Sequence, residues 1–312
     1  GLATAERDGG GGGGGGMSAV ALGFGRNLVA GGAAGIVAKT AFAPIDRVKL
    51  LLQTQASNPE LELRYRGTLD CIRRVYVEQG LLSFWRGNMA NVVRYFPQQA
   101  INFASKDVYK KVFLRGVAKE NTWGQFWGNL AAGGAAGGTC LLATYPLDLA
   151  RTRLAADVGR AAADREFNGL ADCILKIFRG GGLGDLYQGF PVAFTGIVVF
   201  RALYMGGYDF VRARWLSDDA SLFSKFCVAQ VVTTVSGTMV YPIDTIRRRL
   251  MMQSGRARAG QPVEYSGALE ATRVILRKEG AASFYSGLPA NILRSGGGAL
   301  MLVLYEAFKD MG

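Results

Sequence analysis

Ala43-Pro44-Ile45-Asp46-Arg47-Val48-Lys49, Tyr145-Pro146-Leu147-Asp148-Leu149-Ala150-Arg151 and Tyr241-Pro242-Ile243-Asp244-Thr245-Ile246-Arg247 are one motif written three times. In each, a proline is followed two residues later by an aspartate and three after that by a base. Other landmarks repeat in step. Trp85-Arg86-Gly87 returns as Tyr187-Gln188-Gly189 and Tyr285-Ser286-Gly287, and Tyr65-Arg66-Gly67 as Phe167-Asn168-Gly169 and Tyr265-Ser266-Gly267. Asp70-Cys71 recurs at Asp172-Cys173. A last acid and base close each unit: Asp107 with Lys110, Asp209 with Arg212, Glu306 with Lys309. The chain is therefore three tandem copies of a unit of roughly one hundred residues, divided at 22–116, 117–219 and 220–312. Residues 1–21 precede them, and their run Gly9 to Gly16 is expected to hold no helix and to form a mobile tail.

The 312 residues are 49% hydrophobic, with 44 glycines, and mean hydropathy is +0.15. Apolar stretches run from Leu22 to Leu52, Asn91 to Leu114, Trp127 to Leu154, Pro191 to Trp215, Phe223 to Met252 and Pro289 to Phe308. Each is long enough to span a bilayer, which takes about 20 helical residues. Every one also holds charges or prolines, so its polar groups must face a bundle interior or a water-filled cavity. Gly31 with Gly35 and Gly133 with Gly137 are small residues at helical spacing that let backbones approach; Ala229 and Thr233 stand at that register in the third copy.

Several classes fall away. The net charge is +12, but the bases are dispersed through apolar segments, which argues against nucleic acid and for an anionic small molecule or lipid. Histidine is absent and the cysteines, Cys71, Cys140, Cys173 and Cys227, lie far apart. Neither a metal site nor a disulfide framework is expected. No nucleophile has an adjacent base, so the chain does not read as an enzyme.

Each copy reads as a long helix broken near its proline, a polar loop, a short amphipathic helix (Thr68 to Gln79, Leu170 to Arg179, Ala268 to Glu279) and a second spanning helix. The fold class is thus an all-α membrane protein: six transmembrane helices in three pseudo-threefold repeats, each with a short amphipathic helix on one side. An even number of spans puts both termini on the other side. Asp46 and Lys49 share a helix face; brought together by symmetry, the three acid–base motifs form a ring of ion pairs, and the even helices supply a second ring at the opposite end. Gln53, four residues beyond Lys49, can brace one pair, while Ala155 and Met251 stand at its equivalents. Two rings around a polar middle describe an alternating-access carrier.

Departures from symmetry locate the ligand. Lys39 has Leu141 and Gly237 as counterparts, and Arg94 aligns with Arg294 but with Gly196 in the middle copy. Lys39, Arg94 and Arg294 are expected to enter the centre unpaired, as an anion trap. Gly196, Ile197 and Phe200 offer a slot for a flat ring. Guanidinium forks suit phosphate, so the combination points to a nucleotide.

On the triple P-x-[DE]-x-x-[KR] signature the chain resembles the mitochondrial carrier family. Within it, Arg247-Arg248-Arg249-Leu250-Met251-Met252 is similar to the arginine–methionine run of the adenine-nucleotide branch, with Leu250 in place of a methionine. Phe200 stands where a tyrosine is common, Val240 where serine is frequent, and Lys106 where an aromatic is preferred. The resemblance implies electrogenic exchange of cytosolic ADP for matrix ATP across the mitochondrial inner membrane, both termini facing the intermembrane space. It adds Asn102, Arg201 and Arg248 to the substrate contacts. A matrix gate is implied of Asp46 with Arg151, Asp148 with Arg247 and Asp244 with Lys49. The implied cytoplasmic gate has Asp107 with Arg212, Asp209 with Lys309 and Glu306 with Lys110, beside Tyr208 and Tyr305. Cardiolipin is implied at Gly67, Gly87, Gly169, Gly189, Gly267 and Gly287. No other cofactor is expected; a monomer is, with association into larger assemblies left open.

Overall fold

The computed structural model describes residues 13–61, 63–118, 121–159, 165–215, 222–256 and 263–295. Among them are helices α1 (Gly13–Thr54), α2 (Thr68–Gln79), α3 (Asn88–Phe113), α4 (Thr122–Ala156), α5 (Leu170–Leu186), α6 (Phe190–Trp215), α7 (Leu222–Met252), α8 (Ala268–Glu279) and α9 (Leu288–Ser295), and no strand. Six helices close a ring: α1 packs on α3, α3 on α4, α4 on α6, α6 on α7, α7 on α9 and α9 on α1. By hydropathy alone α6 and α7 are apolar enough to cross a bilayer. In α1 and α4 the charges of the triple motif turn inward, as the site below shows.

Two expectations need correction. The glycine run was expected to exclude helix, yet α1 begins inside it at Gly13. Each glycine costs about 1 kcal/mol in a helix, which propagation from the apolar turns that follow can offset. The odd helices were expected to break at their prolines, yet α1, α4 and α7 run unbroken through Pro44, Pro146 and Pro242. A proline frees the carbonyl four residues before it. In two copies an aromatic side chain takes that carbonyl up: the Trp85 indole N–H donates to Thr40 O at 2.9 Å, and the Tyr187 hydroxyl donates to Leu142 O at 3.0 Å. In the third, Tyr285 instead stacks on Tyr241.

The short helices share one start. An acid in the first turn accepts the backbone N–H four residues back: Asp70 from Arg66 at 2.9 Å, Asp172 from Asn168 at 2.9 Å and Glu270 from Ser266 at 2.6 Å. The Lys176 ammonium and then the Asn168 N–H hold the Asp172 carboxyl below its ordinary pKa, and the Ser266 hydroxyl and then its N–H do the same for Glu270. Gly80 (φ 78°) and Gly280 (φ 80°) end α2 and α8 in a conformation that favours glycine, and Gly182 (φ 73°) interrupts α5. The buried faces meet the odd helices. Val48, Leu51 and Leu52 pack with Tyr65, Cys71, Val75 and Phe84; Tyr145 and Leu149 with Phe167, Cys173 and Ile177; Leu250 with Tyr265 and Ala271. One end of the ring is thereby plugged.

Candidate functional site: a cationic cavity over a ring of ion pairs

Above that plug lies a cavity of about 600 Å³. Its floor is the triple motif. Each proline-containing helix carries its acid and base three residues apart, so both face the axis and the acid meets a base from a neighbouring copy. Lys49 Nζ lies 3.0 Å from Asp244 Oδ2, Arg151 pairs with Asp46, and Arg247 with Asp148. Gln53 Nε2 donates to Asp244 Oδ2 at 3.3 Å and lies 3.4 Å from Thr245 Oγ1, bracing one of the three pairs.

The unpaired trap is the third expectation to be corrected. Arg94 Nη1 is 3.2 Å from Asp148 Oδ1, and Arg294 Nε is 3.5 Å from Asp46 Oδ1. Burial explains Arg94: a cation that loses water takes the nearest carboxylate, and the floor offers three; Arg294 is exposed and lies within reach of Asp46 without that push. Yet the carboxylates are outnumbered. Lys49, Arg94, Arg151, Arg201, Arg247, Arg248 and Arg294 line the cavity against Asp46, Asp148 and Asp244, leaving four positive charges uncompensated. The Nε–H groups of Arg94 and Arg247 are buried without an acceptor. The trap is therefore collective, an excess of donors and charge.

The consecutive arginines 247 to 249 go three ways. Arg247 joins the floor. Arg248 reaches Asp148 and Asp244, both at 3.5 Å, and donates to Thr152 Oγ1 at 2.6 Å. Arg249, 1% exposed, leaves the cavity to hold Glu279 and the Gln53 carbonyl. Leu250, Met251 and Met252 are buried in the plug, which makes them packing groups.

On the walls, Gly196, Ile197, Phe200 and Val240 form an apolar strip, and Asn102 adds an amide. Arg201 lies in the notch of Gly133 and Gly137, where added Cβ atoms would come within 2.9 and 3.3 Å of its guanidinium. Lys39 is not on the wall; its ammonium lies 5.2 Å from the Tyr95 ring centroid. Sequence reasoning missed Gln98, Tyr204 and Asn291, all lining residues. The signal was available: Tyr204 lies midway between Phe200 and Tyr208 at four-residue spacing, and the three rings stack at 6.2 Å intervals.

Toward the other end Asp107, Lys110, Asp209 and Arg212 are exposed. Tyr305, Glu306 and Lys309 lie outside the described residues. Gly67, Gly169 and Gly267 cap α2, α5 and α8. Gly87, Gly189 and Gly287 have φ of 81°, 81° and 84°, and a Cβ there would come within 2.9 Å of Arg151 O, 3.2 Å of Arg247 O and 3.0 Å of Lys49 O. Backbone demands alone thus account for these three glycines, which press against the peptide of each floor base, and Gly169 too has a positive φ, of 155°. Among the described residues no cluster fit to hold a metal ion occurs.

The model for the family described as mitochondrial carrier protein matches residues 20–117, 122–219 and 218–312. The chain is 52% identical over 298 residues to ADP/ATP translocase 2 of Bos taurus, covering 94% of this chain and 99% of that one. It is 53% identical over 291 residues to ADP/ATP translocase 4 of Homo sapiens, covering 92% and 91%. With human ADP/ATP translocase 3 the identity is 51% over 300 residues, covering 95% and 100%.

Proposed function

Because the chain belongs to the mitochondrial carrier family, its three copies each matching the family model, we propose that it exchanges ADP for ATP across the mitochondrial inner membrane. The cavity is the nucleotide site and the floor of ion pairs is the gate toward the matrix. The observation that carries the reading is the excess of four cations over carboxylates in one cavity. That is the complement of a tri- or tetra-anionic phosphate chain, and the apolar strip at Gly196, Ile197 and Phe200 suits a flat base.

The paired state of Arg94 and Arg294 gives the cycle a trigger. Phosphate oxygens compete with Asp148 and Asp46 for the two guanidinium groups, so an arriving nucleotide withdraws cations from the gate acids. Buried ion pairs depend on full compensation to offset desolvation, and the floor loosens as the phosphates dock. Closure at the other end is assigned to Asp107, Asp209 and Glu306 with Lys110, Arg212 and Lys309, beside Tyr208 and Tyr305. Both termini then face the intermembrane space. Swapping a three-minus for a four-minus nucleotide moves one charge, worth roughly 2.3 kcal/mol per 100 mV, so membrane potential sets the direction. Cardiolipin phosphates are assigned to the N-termini at Gly67, Gly169 and Gly267 and to the turns at Gly87, Gly189 and Gly287, where peptide N–H groups favour anions; the protein acts as a monomer.

The test is counter-exchange in liposomes. Internal ADP or ATP should drive uptake of either nucleotide, and an imposed potential should bias ATP exit against ADP entry. A purified, folded protein that exchanges neither would end this reading.

A further inference from the structure

Lys39 presents a problem that the cavity does not solve. It has no charged counterpart in the other copies, yet its ammonium rests over Tyr95 while the neighbouring Arg94 lines the cavity. Tyr95 is fixed there. Its ring fills a notch in α1, since a Cβ added at Gly35 would come within 2.5 Å of the ring, and it is 8% exposed. Phe96 meets it edge-on at 6.1 Å and itself packs toward Gly32. Lys39 follows Gly35 by four residues, one helical turn on the same face. Absence of a side chain at Gly35 thus lets α3 deliver an aromatic face to the one lysine on α1 able to reach it.

We infer that Tyr95 is a positioning residue, a latch that holds Lys39 off the cavity wall until a phosphate group enters and takes the ammonium in exchange for the ring. Resting on the reading of the cavity as a phosphate site, this specifies how that site is regulated. A lysine stem spans several ångströms and rotates freely, so one rotamer change moves the ammonium from ring to cavity. In the latched position the charge does not compete with Arg94 for Asp148. Released, it adds a further phosphate donor from α1, between the helices that carry Arg94 and Arg294. The latch lowers affinity for the anion, because the cation–π contact must be given up on binding.

Tyr95→Leu removes the π face, and Tyr95→Phe keeps it. Binding of ADP and of inorganic pyrophosphate is measured by calorimetry on the full chain in lipid nanodiscs. Tyr95→Leu should bind both about three- to thirtyfold more tightly than wild type, Tyr95→Phe within about twofold of it, and Tyr95→Leu should gain nothing over a Lys39→Gln single variant when combined with it. Wild-type affinity in Tyr95→Leu overturns the latch, as does a gain that persists without Lys39. Should Tyr95→Leu fail to fold, a fluorinated phenylalanine at position 95 keeps the shape while stripping the ring of its negative face. It must then give the same tightening, or the latch is wrong. Pyrophosphate separates the two proposals: if wild type binds it but not ADP, and Tyr95→Leu tightens it, the nucleotide reading fails and the latch stands.

Discussion

Truncating Arg94 to alanine separates ligand binding from architecture. Arg94 is one of three guanidinium partners of Asp148, with Arg247 and Arg248. Removing it leaves that buried carboxylate, 1% exposed, with two cations still in place, so the fold should lose no more than about 1 kcal/mol. Nucleotide binding should lose a charge-assisted contact of about 1.5–3 kcal/mol, a ten- to hundredfold weaker affinity, and exchange should fall at least as far. Asp148→Ala is the opposite case. It strands Arg94 and Arg247 in a buried floor and leaves Arg248 with Asp244 as its remaining carboxylate, at a cost of about 3–5 kcal/mol of stability. Liposome exchange and thermal unfolding, measured on both variants, decide the matter. Normal exchange by Arg94→Ala would refute the site, and a loss of stability in Arg94→Ala equal to that of Asp148→Ala would show that Arg94 is structural.

Gln53→Ala removes the brace on the Lys49–Asp244 pair and should lower stability by about 0.5–1.5 kcal/mol, read by thermal unfolding, while nucleotides remain exchangeable. Met251→Ala, at a residue with no exposure, should cost about 2–5 kcal/mol without changing ADP affinity in the folded fraction by calorimetry. Gly87→Ala meets both a positive φ and the Arg151 carbonyl; it should destabilise by about 1–3 kcal/mol, whatever lipid is supplied, as scanning calorimetry in cardiolipin and cardiolipin-free vesicles would reveal. Burial pushes the Cys71 and Cys173 thiols up to about 12, so at pH 8 a lipophilic maleimide should label exposed Cys227 and leave both intact until unfolding, by mass spectrometry. Their protonated forms favour the folded state, so the linked stability is complete below pH 9 and declines as pH rises from 9 toward 12.

The repeat, the ring of six and the floor were legible because they depend on spacing. Three residues from acid to base fix a shared helix face, and three copies fix a closed circle. Rotamer-level competition was not legible. Spacing shows that Arg94 and Arg294 point inward but not that each takes a gate acid, since that depends on how many carboxylates the closed floor leaves within reach. The structure supplies a rule with one exception. An even-helix arginine pairs with the acid of the next odd helix: Arg94 with Asp148, and Arg294 with Asp46. The middle copy has Gly196 at that register, and the acid it would have served, Asp244, is met by Arg248 from one turn along its own helix. The second arginine of the arginine run thus does the work that Gly196 cannot. In return the missing side chain leaves α6 close to α7, a Cβ at 196 lying 3.3 Å from Ile243. Apolar wall and extra arginine are therefore two sides of one departure from symmetry. An arginine placed at Gly196 would have to crowd Ile243, contest Asp244 with Arg248 and occupy the strip assigned to the base, so Gly196→Arg should abolish exchange even in a variant whose Arg248 is neutralised.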